Sequence, residues 1–211
     1  MNRFIVLVFF VISILFLTGC STDARQAATI HKTLEESAAL ENGFIAKQEN
    51  LMEIKADARE LYNDLVNLHI NDQDTIQEKL EEANTLIEKQ EKLLKEAEEN
   101  FQTAYEKLIT IEENIEKIKD HEQKNQALEL LTVIEERKAL IDSYFENYHK
   151  SLKVQQAFYQ NIKDENYNMK TLDGQIHDIN ERNQDMEKMI EQFNQYTKQF
   201  LKAADDYKQM I

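Results

Sequence analysis

Apolar residues recur along most of this chain at steps of three and four, the spacing that gathers them on one stripe of an α-helix. The pattern is clearest at Ile76, Leu80, Ala83, Ile87, Gln90, Leu94, Ala97, Phe101, Ala104, Leu108, Ile111, Ile115 and Ile118, where only Gln90 is polar. Steps that alternate four and three over six heptads average 3.5 residues and predict coiled-coil-like packing. A first helix is predicted over 29–70, with a seam at Phe44, Leu51, Ile54, Ala58, Leu61, Leu65 and Leu68. Before Phe44 the pattern loosens to Ile30, Leu34 and Ala38, and that end is expected to fray. A third helix over 126–163 carries Leu131, Ile134, Ile141, Phe145, Tyr148, Leu152, Tyr159 and Ile162. The fourth carries Leu172, Ile176, Ile179, Met186, Ile190, Phe193, Phe200, Ala204, Tyr207 and Ile211.

Short polar clusters separate the four. Residues 71–74 form a turn, with Asp72 or Asp74 placed to cap the next helix. Residues 119–125 lack a seam and read as the second turn, and Asp164-Glu165-Asn166 opens the third. Thr171 is a candidate cap for the last helix, with Asp173-Gly174 as the alternative boundary. Short loops force neighbouring helices to run antiparallel. The predicted fold is therefore all-α, an elongated antiparallel (up-down-up-down) four-helix bundle, with two separate helical hairpins or a domain-swapped dimer as the alternatives. Gln90, Asn183 and Thr197 interrupt apolar seams. Fixing the register is the favoured role of such residues, ahead of binding a ligand.

The amino terminus follows a different pattern. After Asn2-Arg3, residues 4–16 are Phe, Val, Ile and Leu broken only by Ser13. A spanning helix needs about 20 apolar residues, so this run has the length of a secretory signal core instead. It ends at Leu17-Thr18-Gly19-Cys20, which resembles a bacterial lipobox and contains the only cysteine. That resemblance implies a diacylglyceryl thioether on Cys20, cleavage between Gly19 and Cys20, and N-acylation of the new terminus with a chain such as palmitate. Two or more acyl chains hold a protein stably on a membrane. The expected organisation is a signal peptide at 1–19, a polar tether at 20–28 and a helical domain at 29–211.

Composition sharpens the helical reading. The 211 residues include no proline and, after Cys20, only Gly43 and Gly174. Removing the first 19 residues takes away Arg3 and leaves 24 basic against 40 acidic side chains, a net charge of −16. Such a surface repels nucleic acid, which is not an expected partner. With Cys20 acylated no thiol remains for a disulfide or a nucleophile.

Catalytic and metal patterns are incomplete. Glu146-Asn147-Tyr148-His149 has the Glu-x-x-His spacing of di-iron bundles, but such a site needs a second copy and two more inward glutamates. His31, His69, His121 and His177 lack a carboxylate three residues earlier. No phosphate-cradling glycine loop or Gly-x-Ser-x-Gly elbow occurs. The expectation is a non-enzyme with no metal and no cofactor. Tyr144, Phe145, Tyr148, Phe158, Tyr159 and Tyr167 form an aromatic cluster. Tyr144, Tyr148, Tyr159 and Tyr167 are the candidate ligand-contact residues, although rings at helical spacing fill cores more often than they meet ligands.

The mature chain resembles the YkyA-like family of lipoproteins described as cell-wall-binding. Phe44, Gln48-Glu49, Leu51 and Glu60-Leu61-Tyr62 carry the resemblance in the first helix. Tyr144, Tyr148, Tyr159, Thr171-Leu172, Phe193-Asn194, Thr197 and Tyr207 carry it further along. It implies a protein anchored to the extracytoplasmic face of the cell membrane through the lipid on Cys20. Peptidoglycan or another envelope protein is the implied partner, with the chain acting by binding, as an adaptor or spacer. The alternatives are an envelope hydrolase, which descriptions of the family also mention, and a structural helical lipoprotein that pairs with itself or another helical protein.

Cys20→Ala removes the acylated sulfur. It is expected to abolish metabolic labelling with a fatty-acid analogue and leave an unprocessed precursor or a released protein. Undiminished labelling contradicts the lipobox.

Overall fold

A computed structural model describes the backbone of 2–68, 71–164 and 168–209, and the side chains of these residues from Thr22 onward. The helices are α1 (Asn2–Asn67), α2 (Gln73–Ile109), a five-residue α3 (Glu112–Glu116), α4 (His121–Lys163) and α5 (Met169–Lys208). No strand occurs among the described residues. The chain divides into two compact units, one of segments 1–39, 104–138 and 195–211, the other of 40–103 and 139–194.

In the second unit, helices adjacent in sequence run antiparallel. Gly43 meets Asn100 and Lys47 pairs with Glu96, while further up α1 Asp64 pairs with Lys79. His149 lies 3.3 Å from Glu98, whereas Lys163 reaches back to Glu81. Asn147 bonds Arg182, and Asn161 bonds Gln175. Each helix therefore reverses its predecessor. At the centre stand four buried phenylalanines, one from each long helix. The Phe44 ring lies 5.2, 6.3 and 6.1 Å from those of Phe101, Phe145 and Phe193 respectively. All three contacts are edge-on, with interplanar angles of 67–84°, the orientation favoured by the ring quadrupole. Gly43 lets α2 approach here, because a Cβ in its place would lie 3.2 Å from the Asn100 side chain.

The first unit has an aliphatic core of Ala27, Ile30, Leu108, Ile111, Ile115, Ile118, Ala127, Leu130, Leu131 and Ile134, closed by Phe200 and Tyr207. Antiparallel pairing of α4 with α5 is seen in Arg137 to Thr197 and Gln123 to Tyr207. The Arg137 guanidinium, itself buried, lies 4.8 Å from the Phe200 ring centre and gains a cation–π attraction.

The expected tether is where the structure differs most from the sequence reading. Residues 22–28 continue α1, and Asp23 and Ala27 are buried. The Asp23 carboxylate accepts the backbone N–H groups of Lys119 and Asp120, both at 3.0 Å. It thereby places negative charge beside the positive start of α4. The loose stretch before Phe44 is also packed: Ile30, Thr33 and Ser37 are buried while Ala38 is exposed. Ser37 Oγ donates to the Ala104 carbonyl at 2.9 Å, so polar residues occupy core positions there.

Three boundaries shift for local reasons. The α2 seam stays buried through Ile118, but the helix stops at Ile109. Thr110 Oγ1 bonds the Lys107 carbonyl, and the Thr110 and Ile111 amides tighten to bonds three residues back. Residues 121–125 belong to α4 rather than a turn, because Asp120 Oδ1 caps the Gln123 amide at 2.9 Å. Asn168, not Thr171, caps α5, accepting the Thr171 amide at 2.8 Å, and Gly174 lies inside the helix. Asp72 takes the position before α2, its carbonyl accepting from Ile76.

Phe101→Ala empties one quarter of the ring layer and is expected to cost about 3–5 kcal/mol in denaturant unfolding. An unchanged midpoint contradicts the layer's role.

Candidate functional site

Beyond the phenylalanine layer the second unit becomes polar and then opens. Tyr148 is almost fully buried, and its hydroxyl donates to Gln90 Oε1 at 2.8 Å. The Tyr144 hydroxyl makes a weaker contact with Gln48 Oε1 at 3.5 Å. Lys55 holds its ammonium 5.4 Å from the Tyr148 ring centre. Burial depresses the Lys55 pKa, an effect that Glu187 counters and nearby Arg59 reinforces.

Next to this polar layer lies a cavity of about 460 Å³, lined by all four long helices, a volume within the usual range of about 300–1,000 Å³ for small-ligand sites. α1 contributes Lys55, Ala58, Arg59, Tyr62 and Asn63, and α2 contributes Gln90. α4 supplies Gln155, Phe158 and Tyr159. Ile176, Ile179, Asn180, Asn183, Gln184 and Glu187 come from α5. Six of these side chains are amides, three of them, Gln90, Gln155 and Asn183, buried or half-buried. The seam weakens here because Ile176 and Ile179 are only partly buried. Gln90 forms the floor at 1% exposure, while Arg59, Asn63, Asn180, Gln184 and Glu187 stand exposed at the rim. Among the described residues, two buried atoms of the lining have no hydrogen-bond partner, the donor Gln90 Nε2 and the acceptor Asn183 Oδ1. Lys55 and Arg59 outnumber Glu187, so the cavity is a basic spot on an acidic chain.

The tyrosines proposed from sequence are distributed differently from an exposed platform. Tyr144, Tyr148 and Tyr159 are 6%, 1% and 6% exposed, and only Tyr159 borders the cavity. Tyr167 lies outside the described residues, as does the Cys20 side chain, and only the backbone is described at the Gly19–Cys20 cleavage site. Phe158, a member of the same aromatic cluster, is buried and lines the cavity beside Tyr62, 6.5 Å between ring centres. Glu146 and His149 do not converge on a metal site: Glu146 pairs with Lys150 and His149 with Glu98. No group of three or more metal-ligating side chains occurs among the described residues. Lys55, Arg59 and Gln155 were missed, because each reads as an ordinary polar residue of a solvated face. The legible signal was Gln90 and Asn183, the polar interruptions of two seams.

Burial raises the pKa of Tyr144 and Tyr148 well above the usual 10 and moves Tyr159 to about 12. Above pH 10 the unfolded chain loses these protons while the folded chain keeps them, so stability present below 10 falls as pH rises. Tyrosinate absorbance is expected to grow in two stages, the buried rings ionising only as helical ellipticity is lost. Full ionisation near pH 10 with the helices intact contradicts the burial.

Among the described residues no helix is long and apolar enough to cross a membrane. The chain is similar to the uncharacterized lipoprotein YkyA of Bacillus subtilis (strain 168), 26% identical over 192 residues, covering 91% of this chain and 86% of that one. Its fold is similar to the crystal structure of a conserved protein of unknown function from Staphylococcus aureus, with a TM-score of 0.63 at 15% identity. That likeness covers 90% of this chain and 95% of the other. The family model described as "Putative cell-wall binding lipoprotein" matches residues 25–210, and the chain belongs to this YkyA family.

Proposed function

We propose that the protein is held on the extracytoplasmic face of the cell membrane by lipid on Cys20 and acts by binding the cell wall, without catalysis. The observation that carries this reading is the family match across 25–210, nearly the whole folded chain. The packing of Asp23 supports an anchor close to the folded domain. Only two residues separate Cys20 from a side chain fastened to the turn before α4. At no more than about 3.6 Å per residue, the Asp23 Cα lies within about 11 Å of the Cys20 Cα.

The net charge of −16 that remains after removal of residues 1–19 argues about the target. Wall teichoic acid is a polyphosphate of the same sign, and like charges repel within a Debye length of about 8 Å at physiological salt. Peptidoglycan is less charged and offers hydroxyl and amide groups instead. A second reading, a helical protein partner, is favoured by Ile45, Met52 and Val66, exposed at 50%, 66% and 59% along one face of α1. Arg59 interrupts that stripe.

Pull-down on purified walls, before and after removal of teichoic acid, is expected to retain the protein in both cases. Strong binding that requires teichoic acid and survives a divalent-cation chelator contradicts the peptidoglycan target. No retention on either preparation contradicts wall binding altogether.

A further inference from the structure

The cavity of the second unit carries more chemistry than register requires. A polar residue that only fixes helix register is best served by a partner for each of its atoms, because a buried unpaired donor or acceptor is costly. Gln90 satisfies its oxygen with Tyr148 yet leaves Nε2 unpaired, and Asn183 leaves Oδ1 unpaired. Both side chains line the same cavity. One atom offers a proton and the other accepts one, the complement of a secondary amide, whose carbonyl accepts and whose N–H donates.

The rest of the lining selects among secondary amides. Tyr62, Phe158 and Tyr159 present ring surface beside the amide groups of Gln155 and Asn180. Aromatic rings suit the C–H face of a pyranose, and side-chain amides suit its hydroxyls in both directions. Lys55 and Arg59 against Glu187 leave the lining one net positive charge, which disfavours a cationic ligand and leaves an uncharged sugar free to bind.

We propose that this cavity binds an N-acetylated amino sugar of the wall glycan, its acetamido group seated between Gln90 Nε2 and Asn183 Oδ1. The proposal rests on the wall-binding reading for the source of its ligand, but its geometry stands independently. A peptide bond carries the same secondary amide. The ring-lined walls favour the sugar, and the test separates the two sources.

The test uses full-length protein in detergent and three probes in isothermal titration: an N-acetylglucosamine tetramer, the deacetylated glucosamine tetramer and a short uncharged peptide. The acetylated tetramer is expected to bind, with deacetylation weakening it about tenfold, the scale of one or two lost hydrogen bonds. Asn183→Leu is expected to weaken the acetylated tetramer by a similar factor while melting no lower than the parent, since an unpaired buried acceptor has gone. Ile179→Phe, which narrows the cavity without touching the amide pair, is expected to weaken binding as well. A merely structural Asn183 would leave affinity unchanged. Unaltered binding by Asn183→Leu, equal binding of both tetramers, tighter binding of the peptide, or no binding of the acetylated tetramer each overturns the proposal. Wall retention that persists beside such a failure leaves the wall-binding reading standing, and loss of both removes both.

Discussion

The edge-on contact of Phe44 with Phe101, Phe145 and Phe193 is the constraint on which the second unit depends. One ring comes from each long helix, so sliding any helix by a turn would withdraw its ring from the layer. That lock sets the register of the neighbouring layers. Four residues along α1, Gln48 meets the Tyr144 hydroxyl; beyond it Gln90 meets Tyr148, and then all four long helices line the cavity. Rings worth about 0.5–1.5 kcal/mol per pair beyond their burial hold the register. The neighbouring polar layer spends part of that stability on atoms without partners. An apolar lock beside an under-satisfied cavity is the arrangement expected where binding, rather than packing alone, shapes the core.

Much of the fold was legible because the seams are long and unbroken. Leu80, Leu94, Phe101, Ile134, Ile141 and Phe145 are all buried where spacing put them. The misreadings cluster where polar residues take apolar positions. Asp23, Thr33 and Ser37 are buried, and for Asp23 and Ser37 the reason is a specific hydrogen bond across the unit, which periodicity cannot reveal. The same limitation hid most of the cavity. Lys55, Tyr62 and Gln155 reach it from positions that lie off the apolar seams. Gln90 and Asn183 were visible as interruptions, but their unpaired atoms were not.

Functionally, the two units divide the chemistry. The first ties the start of the chain to the beginning of α4 through Asp23, so a lipid on Cys20 would leave little slack before ordered structure. The second carries the cavity, locally basic on a chain with 40 acidic side chains. A lipid-held wall binder needs both: attachment at one end of its sequence and a ligand site that its own charge does not defeat.

The most direct measurement is nuclear magnetic resonance of the side-chain amide groups during titration with an N-acetylglucosamine tetramer. A ligand in the cavity should shift the Gln90 and Asn183 NH₂ signals first and slow their exchange with solvent. Changes confined to exposed surface amides, with these two signals unmoved at saturation, would contradict a wall-sugar site in the cavity.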